Sequence, residues 1–453
     1  MSVPEPTYDF RKEAARTFMS GQTQTVLLTG HTTDLFYLTS PFAGEQRPNG
    51  NYVGLLDYLR ATWSRDSQTI LLAYEVNGSI EIVNRDRDEP LLRDAWVKCR
   101  TLEILSDINA QAKASGGKQK PIDLDEACRR AEQQWVDFQL FVSGDATKAL
   151  KFLRKLCRVS RESCEGDALF GKRIVILLED VHLLIPDGEV SRLGPDDRAR
   201  AILCRDWFTS TDFQRSFDAV VLIAESASQI NGEVRTLPQL LQVDVPSPDL
   251  DARRHFIKWF NTTQPDRAKI KLWGSQTDLA RQSAGLSLHA LWQLLRGSVY
   301  DGVELNPASV TKRVEAYILS QLGEGTVEFH KPVHTLDAIV GNTKLVHYLR
   351  TRVMPRMRST GRRSLRGVAV SGPIGAGKTF IFEGVAAELG MPVFVLKNLR
   401  SKWFGETDVI LERLYRVLSS LSKVALFVDE ADTMFGGVGA DQHATERRLT
   451  GKI

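Results

Sequence analysis

The stretch Gly372-Pro-Ile-Gly-Ala-Gly-Lys-Thr379 decides how this chain is read. It fits G-x-x-x-x-G-K-[ST], a loop whose backbone N–H groups turn inward onto a phosphate. Gly372, Pro373, Ile374, Gly375, Ala376 and Gly377 form the loop itself, and the glycines let the backbone approach an anion with no Cβ in the way. Lys378 supplies a cation for the outer phosphates, and the Thr379 hydroxyl is placed to ligate Mg2+. Upstream, Gly367-Val-Ala-Val-Ser371 reads as a short apolar strand. Downstream, Phe380–Leu389 is a helix-length run stopped by Gly390 and Pro392. A loop between strand and helix start puts the anion at the positive end of the helix dipole, so nucleotide binding is expected here.

The totals narrow the class. At 453 residues the chain is long enough for two or three domains. With 42% hydrophobic and 25% charged residues it has an ordinary globular composition. The formal net charge of +3 is unevenly spread: residues 332–453 hold 18 Lys and Arg against 11 Asp and Glu, leaving 41 against 45 elsewhere. Five cysteines at irregular spacing, with no C-x-x-C, argue for reduced thiols and against a disulfide frame or zinc site. No apolar run reaches membrane-span length and the start shows no signal pattern, so a cytoplasmic protein with no membrane partner is expected.

Along the chain, strand and helix patterns alternate. Phe10, Ala14 and Phe18 recur at helical spacing within residues 1–20. Thr25–Thr29 is a strand running into Gly30-His31-Thr32-Thr33-Asp34, which has the position of a phosphate loop but no lysine. Tyr52–Trp63 reads as an amphipathic helix, and Ile70–Val83 as a hairpin about a type I′ turn at Asn77-Gly78. Residues 113–121 read as an exposed loop, with helical patterns at 123–141 and 145–163. Arg173–Leu178 and Ala219–Ala224 are buried-strand runs, the first ending in Glu179 and Asp180. A strand, turn and helix occupy 243–260, and 277–322 is largely helical. Residues 323–332 are the expected linker to a second α/β unit. This order implies mostly parallel sheets covered on both faces.

The second unit carries another acidic strand end, Val424-Ala-Leu-Phe-Val-Asp-Glu-Ala-Asp432, fifty residues beyond Thr379. Asp429 is placed to hold Mg2+ with Thr379, and Glu430 to take a proton from the water attacking the γ-phosphate. Between the motifs lies Leu399-Arg-Ser-Lys-Trp-Phe-Gly-Glu-Thr407, an aromatic pair beside a glycine in a loop. Such a pair is either tucked into the local core or an exposed gripping surface.

Residues 335–453 resemble the classical AAA family of ATPases, in the AAA+ superfamily. Thr335-Leu-Asp-Ala-Ile-Val-Gly341 looks like the family's approach to its adenine pocket, so the resemblance implies that Ile339, Val340 and Gly341 meet the base and that Phe380 borders the site. Ser401-Lys-Trp-Phe-Gly-Glu406 matches the family's first pore loop. Carried over by position, Trp403 grips a polypeptide threaded through a hexameric ring, with Lys402, Phe404 and Gly405 beside it. The resemblance implies two P-loop NTPase-like three-layer α/β units with mostly parallel sheets, the first followed by a helical lid. It implies ATP and Mg2+ as cofactors, a protein substrate and a homo-oligomer.

Residues 21–322 are similar to the same family with the chemistry missing. Leu177-Leu-Glu-Asp-Val-His182 aligns with Phe427-Val-Asp-Glu-Ala-Asp432 with the acids reversed. Ser226 stands at the sensor position, Val245–Arg254 resembles the entry to a lid, and Ala284–Leu291 its second-sensor helix. Paired arginine fingers are absent before Val243. The expected division is an N-terminal helix in 1–20, a degenerate AAA-like domain over 21–245 with an insertion at about 85–170 suited to docking, a lid over 246–322, and a nucleotide-binding domain over 333–453.

Eight Lys and Arg without an acid lie between Lys344 and Arg366. A nucleic-acid surface has this composition, and so does a solvated or inter-subunit face, which is the favoured reading because no aromatics interleave. In the first unit 139 residues separate Asp180 from Leu319, whereas 23 follow Glu430, so residues 1–453 are expected to bind nucleotide weakly, to hydrolyse it negligibly and to pack poorly at the C-terminal half, the activity belonging to a longer parent. Function divides between an ATP-driven remodeller of proteins and a nucleotide-switched scaffold with slow turnover, and the Lys402–Gly405 loop separates them.

Overall fold

The structure is a computed structural model that describes residues 4–43, 49–76, 78–114, 122–141, 144–161, 163–164, 167–168, 171–263, 269–322, 327–330, 334–359, 365, 367–373, 375–389, 393–396, 406–421 and 425–428. The chain divides into two compact units, Met1–Ser247 and Pro248–Ile453.

In the first unit, strands β1 (Thr25–Gly30), β2 (Leu35–Leu38), β3 (Asn51–Gly54), β4 (Thr69–Tyr74), β5 (Ile80–Ile82), β6 (Ser163–Cys164), β7 (Asp167–Ala168), β8 (Arg173–Leu178), β9 (Ala219–Ile223) and β10 (Leu240–Val245) follow one another. The main sheet has the order β10-β1-β9-β8-β4-β5. All its pairs are parallel except the β4–β5 edge. Alternate residues of each strand enter different layers. Leu27, Ile70, Leu72, Ile174, Ile176, Val220 and Leu222 join one core, and Val26, Leu28, Leu71, Val175, Leu177, Val221 and Ile223 join the other. That period-2 split, with both faces apolar, is why these runs read as continuous hydrophobic strands. Burying each such side chain is worth about 1.5–3 kcal/mol. The result is a mixed α/β fold about a mostly parallel sheet, as expected from the alternation of strand and helix patterns.

Helix Asp9–Met19 seats Phe10 and Ala14 in the second of these cores. Residues beyond β5 form helices Arg85–Ala114, Leu124–Phe141 and Ala146–Val159. The Ala146 helix is capped by Asp145, whose side chain accepts the Lys148 N–H.

Three local expectations change. The helix of residues 52–63 begins at Leu55, because Asn51–Gly54 pairs as β3 with β2. The hairpin connects through residues 75–79, with Gly78 N–H donating to Glu75 O at 2.9 Å and no positive φ at Gly78, so the two-residue type I′ turn is not formed; Asn77 lies outside the described residues. The third helical stretch ends at Val159, four residues early.

The second unit begins with helices Leu250–Thr263, Gln276–Gln282, Leu288–Asp301 and Pro307–Leu322. Its sheet comprises β11 (Val327–His330), β12 (Val393–Leu396) and β13 (Ala425–Val428), in that order, β11 antiparallel and β13 parallel to β12. β11 lies within the stretch expected as a linker. Val-Glu-Phe-His alternates apolar and polar residues, and the open edge of β12 supplies the backbone partner. Gly367–Ser371, expected as a strand, forms none, and Val368 and Val370 are half exposed. Among the described residues β13 pairs with β12 alone, so this apolar run finds no neighbouring backbone to complete a ladder. No described helix is long and apolar enough to cross a membrane.

Candidate nucleotide site

The phosphate loop leads into helix Lys378–Leu389, so Lys378 and Thr379 open a helix as its motif requires. Gly375 and Gly377 take φ of +79° and +76°, a left-handed backbone closed to most side chains. A Cβ at either would meet nothing within 4 Å, so conformation and not crowding selects glycine there. The loop is closed by Ala376 N–H to Pro373 O (3.2 Å), and helical bonding starts at Ile381 N–H to Gly377 O (3.0 Å). The N–H groups of Lys378, Thr379 and Phe380 therefore belong to the first turn, where an α-helix offers them no internal acceptor. Lys378 Nζ donates to the carbonyls of Gly372 and Pro373, each at 3.0 Å, which holds the ammonium over the loop. Thr379 is exposed. Ile374 lies outside the described residues.

A small core fixes this helix. Leu336, Leu349, Val353, Met354, Ile381 and Val385 are buried together, with Ile339 packed against them. The segment expected to meet the base and the phosphate-loop helix thus share one cluster. Gly384 makes the contact close: a Cβ there would lie 3.1 Å from Leu336 Cδ2 and 3.2 Å from Leu336 N. Glu388 accepts the Leu336 N–H (3.2 Å) and the Arg350 Nε, while Arg350 also reaches Asp337 at 2.7 Å. The Arg350 hydrogen bond holds the Asp337 carboxyl below its ordinary range. Beyond this cluster Val340 is 92% exposed, and Gly341 has φ +90°.

His334 is a neighbour that the motifs do not signal. Its ring stacks on Phe380 at 3.6 Å between centroids, its Nε2 lies 2.7 Å from Phe380 O, and its Nδ1 is 3.6 Å from Glu383. Phe382 meets Phe427 of β13 at 4.7 Å, tying the helix to the strand that precedes Asp429 and Glu430. Asp429, Glu430 and the loop Lys402, Trp403, Phe404 and Gly405 lie outside the described residues. Of the basic run, Arg350 is tied as above and Arg358 donates to Glu388 O at 2.8 Å, so part of that charge serves to anchor the helix.

The equivalent place in the first unit is built differently. β1 is followed by a four-residue turn and strand β2, and no helix starts at its end. Gly30 has φ +108°, and a Cβ there would lie 2.5 Å from Val245 O and 2.7 Å from Asp244 Oδ1. Gly30 N–H donates to Glu225 O (3.0 Å) and His31 N–H to Val245 O (2.9 Å), so the chain's own carbonyls take the donors that a phosphate loop would aim at an anion. At the end of β8, Asp180 sits at φ +47°, and burial, followed by the charges of Glu75 and Asp180, pushes the Glu179 carboxyl up. Ser226 is buried and caps a short turn after β9, its hydroxyl 2.7 Å from that of Ser228.

Comparisons with known proteins agree with this architecture. Residues 4–246 match the family described as "AAA+ chaperone, N-terminal Rossmann-like domain". Residues 368–453 match "ATPase family associated with various cellular activities (AAA)". The chain is similar to Fidgetin-like protein 1 of Rattus norvegicus, 29% identical over 32% of this chain and 23% of that protein. It is similar to a katanin p60 ATPase-containing protein of Danio rerio, 33% identical over 20% of each. It is also similar to Vacuolar protein sorting-associated protein 4 of Dictyostelium discoideum, 24% identical over 26% of this chain and 28% of that one. The match spans about a quarter of the length of these relatives. With the first of the two family matches covering more than half of its residues, the chain belongs to the AAA+ chaperone family, and an AAA segment carries its phosphate loop.

Proposed function

We propose that this protein binds and hydrolyses ATP with Mg2+ and spends that energy on remodelling protein substrates in the cytoplasm, threading them through a homo-hexameric ring. The observation that carries the reading is the left-handed Gly375/Gly377 loop running into the Lys378 helix, with the Lys378 ammonium held over it. The residues suit the ligand: a cation, first-turn N–H donors and open space at both glycines. Thr379 and Asp429 would hold Mg2+, which when bound neutralises charge developing on the phosphate oxygens. Lys378 binds and orients the outer phosphates, Ile339–Gly341 and Phe380 border the base, and Glu430 takes the proton of the attacking water. Trp403, with Lys402, Phe404 and Gly405, grips the substrate.

The first unit takes no part in hydrolysis in this reading. Its support is the filled end of β1, where Val245 and Glu225 carbonyls use the available N–H groups. The domain division is that given from the sequence: a degenerate domain to residue 245, a lid to 322 and the nucleotide domain from 333.

Nucleotide affinity of the Lys378→Ala variant tests the assignment. Loss of the cation leaves the outer phosphates without the counter-charge held over the loop, so ATP binding is expected to be lost. Affinity retained within about threefold of the parent would overturn it. Glu430→Gln is expected to keep ATP bound while stopping turnover, and Trp403→Ala to keep turnover while losing remodelling. Remodelling that survives Trp403→Ala would favour the switched scaffold.

A further inference from the structure

The first unit contains a groove of about 1740 Å3 at the amino ends of its strands, the opposite end of the sheet from Gly30 and Glu179. Asp66 and Gln68 precede β4, Lys172 and Arg173 open β8, and Ser216–Asp218 lead into β9, which places the groove there. Its other side is the helix Ala146–Val159, where Lys151, Arg154, Lys155 and Arg158 recur at three- and four-residue steps and so share one face. Small-molecule sites run to about 300–1,000 Å3, so this volume suits a segment of chain better than a metabolite.

Among the described residues its lining carries more cation than anion, eight Lys and Arg against five Asp and Glu. Some are paired within the unit: Lys155 with Glu103 (2.8 Å), Arg173 with Asp66 (2.6 Å) and Lys172 with the buried Asp88 (3.2 Å). Asp218 is held below the surface by the Ser160 hydroxyl and the Ile174 N–H. Lys151, Arg154 and Arg215 have no ion-pair partner among the described residues, and they come from two different elements. Beside Arg215, Phe217 is 85% exposed, an aromatic ring offered to solvent at the rim of a cationic groove.

We propose that this groove docks an acidic peptide segment carrying an apolar residue. The carboxylates of the segment pair with Lys151, Arg154 and Arg215, and its apolar side chain covers Phe217. Nucleic acid fits less well for two reasons. Single-strand binding stacks successive bases on successive rings, and here Phe217 is exposed while Trp207 and Phe213 are buried. Asp107 and Asp212, which also line the groove without ion-pair partners among the described residues, oppose a continuous phosphate backbone; a peptide can set an N–H or a lysine against each.

The test is fluorescence anisotropy with the full chain and three labelled probes: a short peptide of Glu and Asp with a central Phe, the same peptide with Lys for the acids, and oligothymidylate of equal charge. The acidic peptide is expected to bind, with affinity falling as salt rises, and the other two are not. The variant Lys151→Glu/Arg215→Glu, at exposed positions, is expected to bind it about tenfold more weakly with unchanged melting. Phe217→Ser is expected to weaken it as well, while Lys12→Glu on the first helix leaves it unchanged. Absence of peptide binding, affinity indifferent to the double reversal, or oligothymidylate binding as tightly through the same cations would overturn the proposal.

Discussion

Replacing Gly30 by alanine separates two reasons for a glycine at the end of a strand. In a phosphate loop the glycine keeps the backbone open, and alanine there costs ligand affinity. In this structure Gly30 is closed in by protein. At φ +108°, an L side chain costs roughly 1–2 kcal/mol in backbone strain. The added Cβ would also lie 2.5 Å from Val245 O, and that carbonyl is fixed by the His31 N–H at 2.9 Å. It cannot yield without opening β1 from β10, an overpacking cost of about 1–3 kcal/mol. Together these give about 2–5 kcal/mol, or roughly 5–20 °C in the melting of a unit this size. Gly21→Ala is the control. Its φ is +67° and nothing lies within 4 Å of its Cβ, so only the strain remains, about 1–2 kcal/mol. Calorimetric melting of both variants, with ATP affinity measured on the same samples, reads the difference. Gly30→Ala melting no lower than Gly21→Ala, or losing ATP affinity with unchanged melting, would refute the reasoning.

Asp218 gives a pH dependence: burial, the largest cause, pushes its carboxyl up from 3.8 to about 6. A carboxyl raised on folding favours the folded state fully below 3.8 and loses that advantage as pH rises through about 6, a change of about 3 kcal/mol. Asp218→Asn keeps an acceptor for Ile174 N–H and can donate to Ser160, so its urea stability measured against the parent's should improve by up to about 3 kcal/mol between pH 4 and pH 8; a difference that stays constant with pH would count against it. Gly384→Ala sets helix propensity, worth up to about 1 kcal/mol, against contacts of 3.2 Å and 3.3 Å with the backbone of Leu336 and Thr335. Backbone cannot step aside as a side chain can, so lower melting and weaker ATP binding are expected, and higher melting would contradict this. Glu179→Gln with Asp180→Asn should leave ATP turnover nearly unchanged, and a loss of tenfold or more in a folded protein would show that the first unit contributes to the chemistry.

The parallel strands were legible because each is apolar on both faces: Thr25–Gly30, Arg173–Leu178 and Ala219–Ile223 needed only their own residues to declare themselves. Gly367–Ser371 has the same apolar character and forms no strand. A strand is a property of a pair, and a single segment cannot show whether a partner lies beside it. The β2–β3 pair escaped notice because four residues of Leu-Phe-Tyr-Leu carry no turn signal and no period. At the site, Lys378 and Thr379 were readable from fixed spacing, since the loop acts through consecutive backbone groups. His334 was not, because its place against Phe380 is made by the fold across 46 residues of chain.

The hairpin that follows β1 has a consequence for any attempt to give the first unit a working phosphate site. Replacing His31 by lysine would write Gly30-Lys-Thr32, the closing letters of the motif, and leave the backbone as it is. The lysine would sit in a turn, and the next element would be an extended strand whose amides face a neighbouring strand. The first long helix after β1 starts at Leu55, behind a complete hairpin. Building an anion site there therefore needs a deletion that carries this helix back to the end of β1, a change of length and path. Point substitution changes side chains one residue at a time and leaves the path of the chain alone, so the end of β1 is a fixed piece of architecture and not an adjustable site.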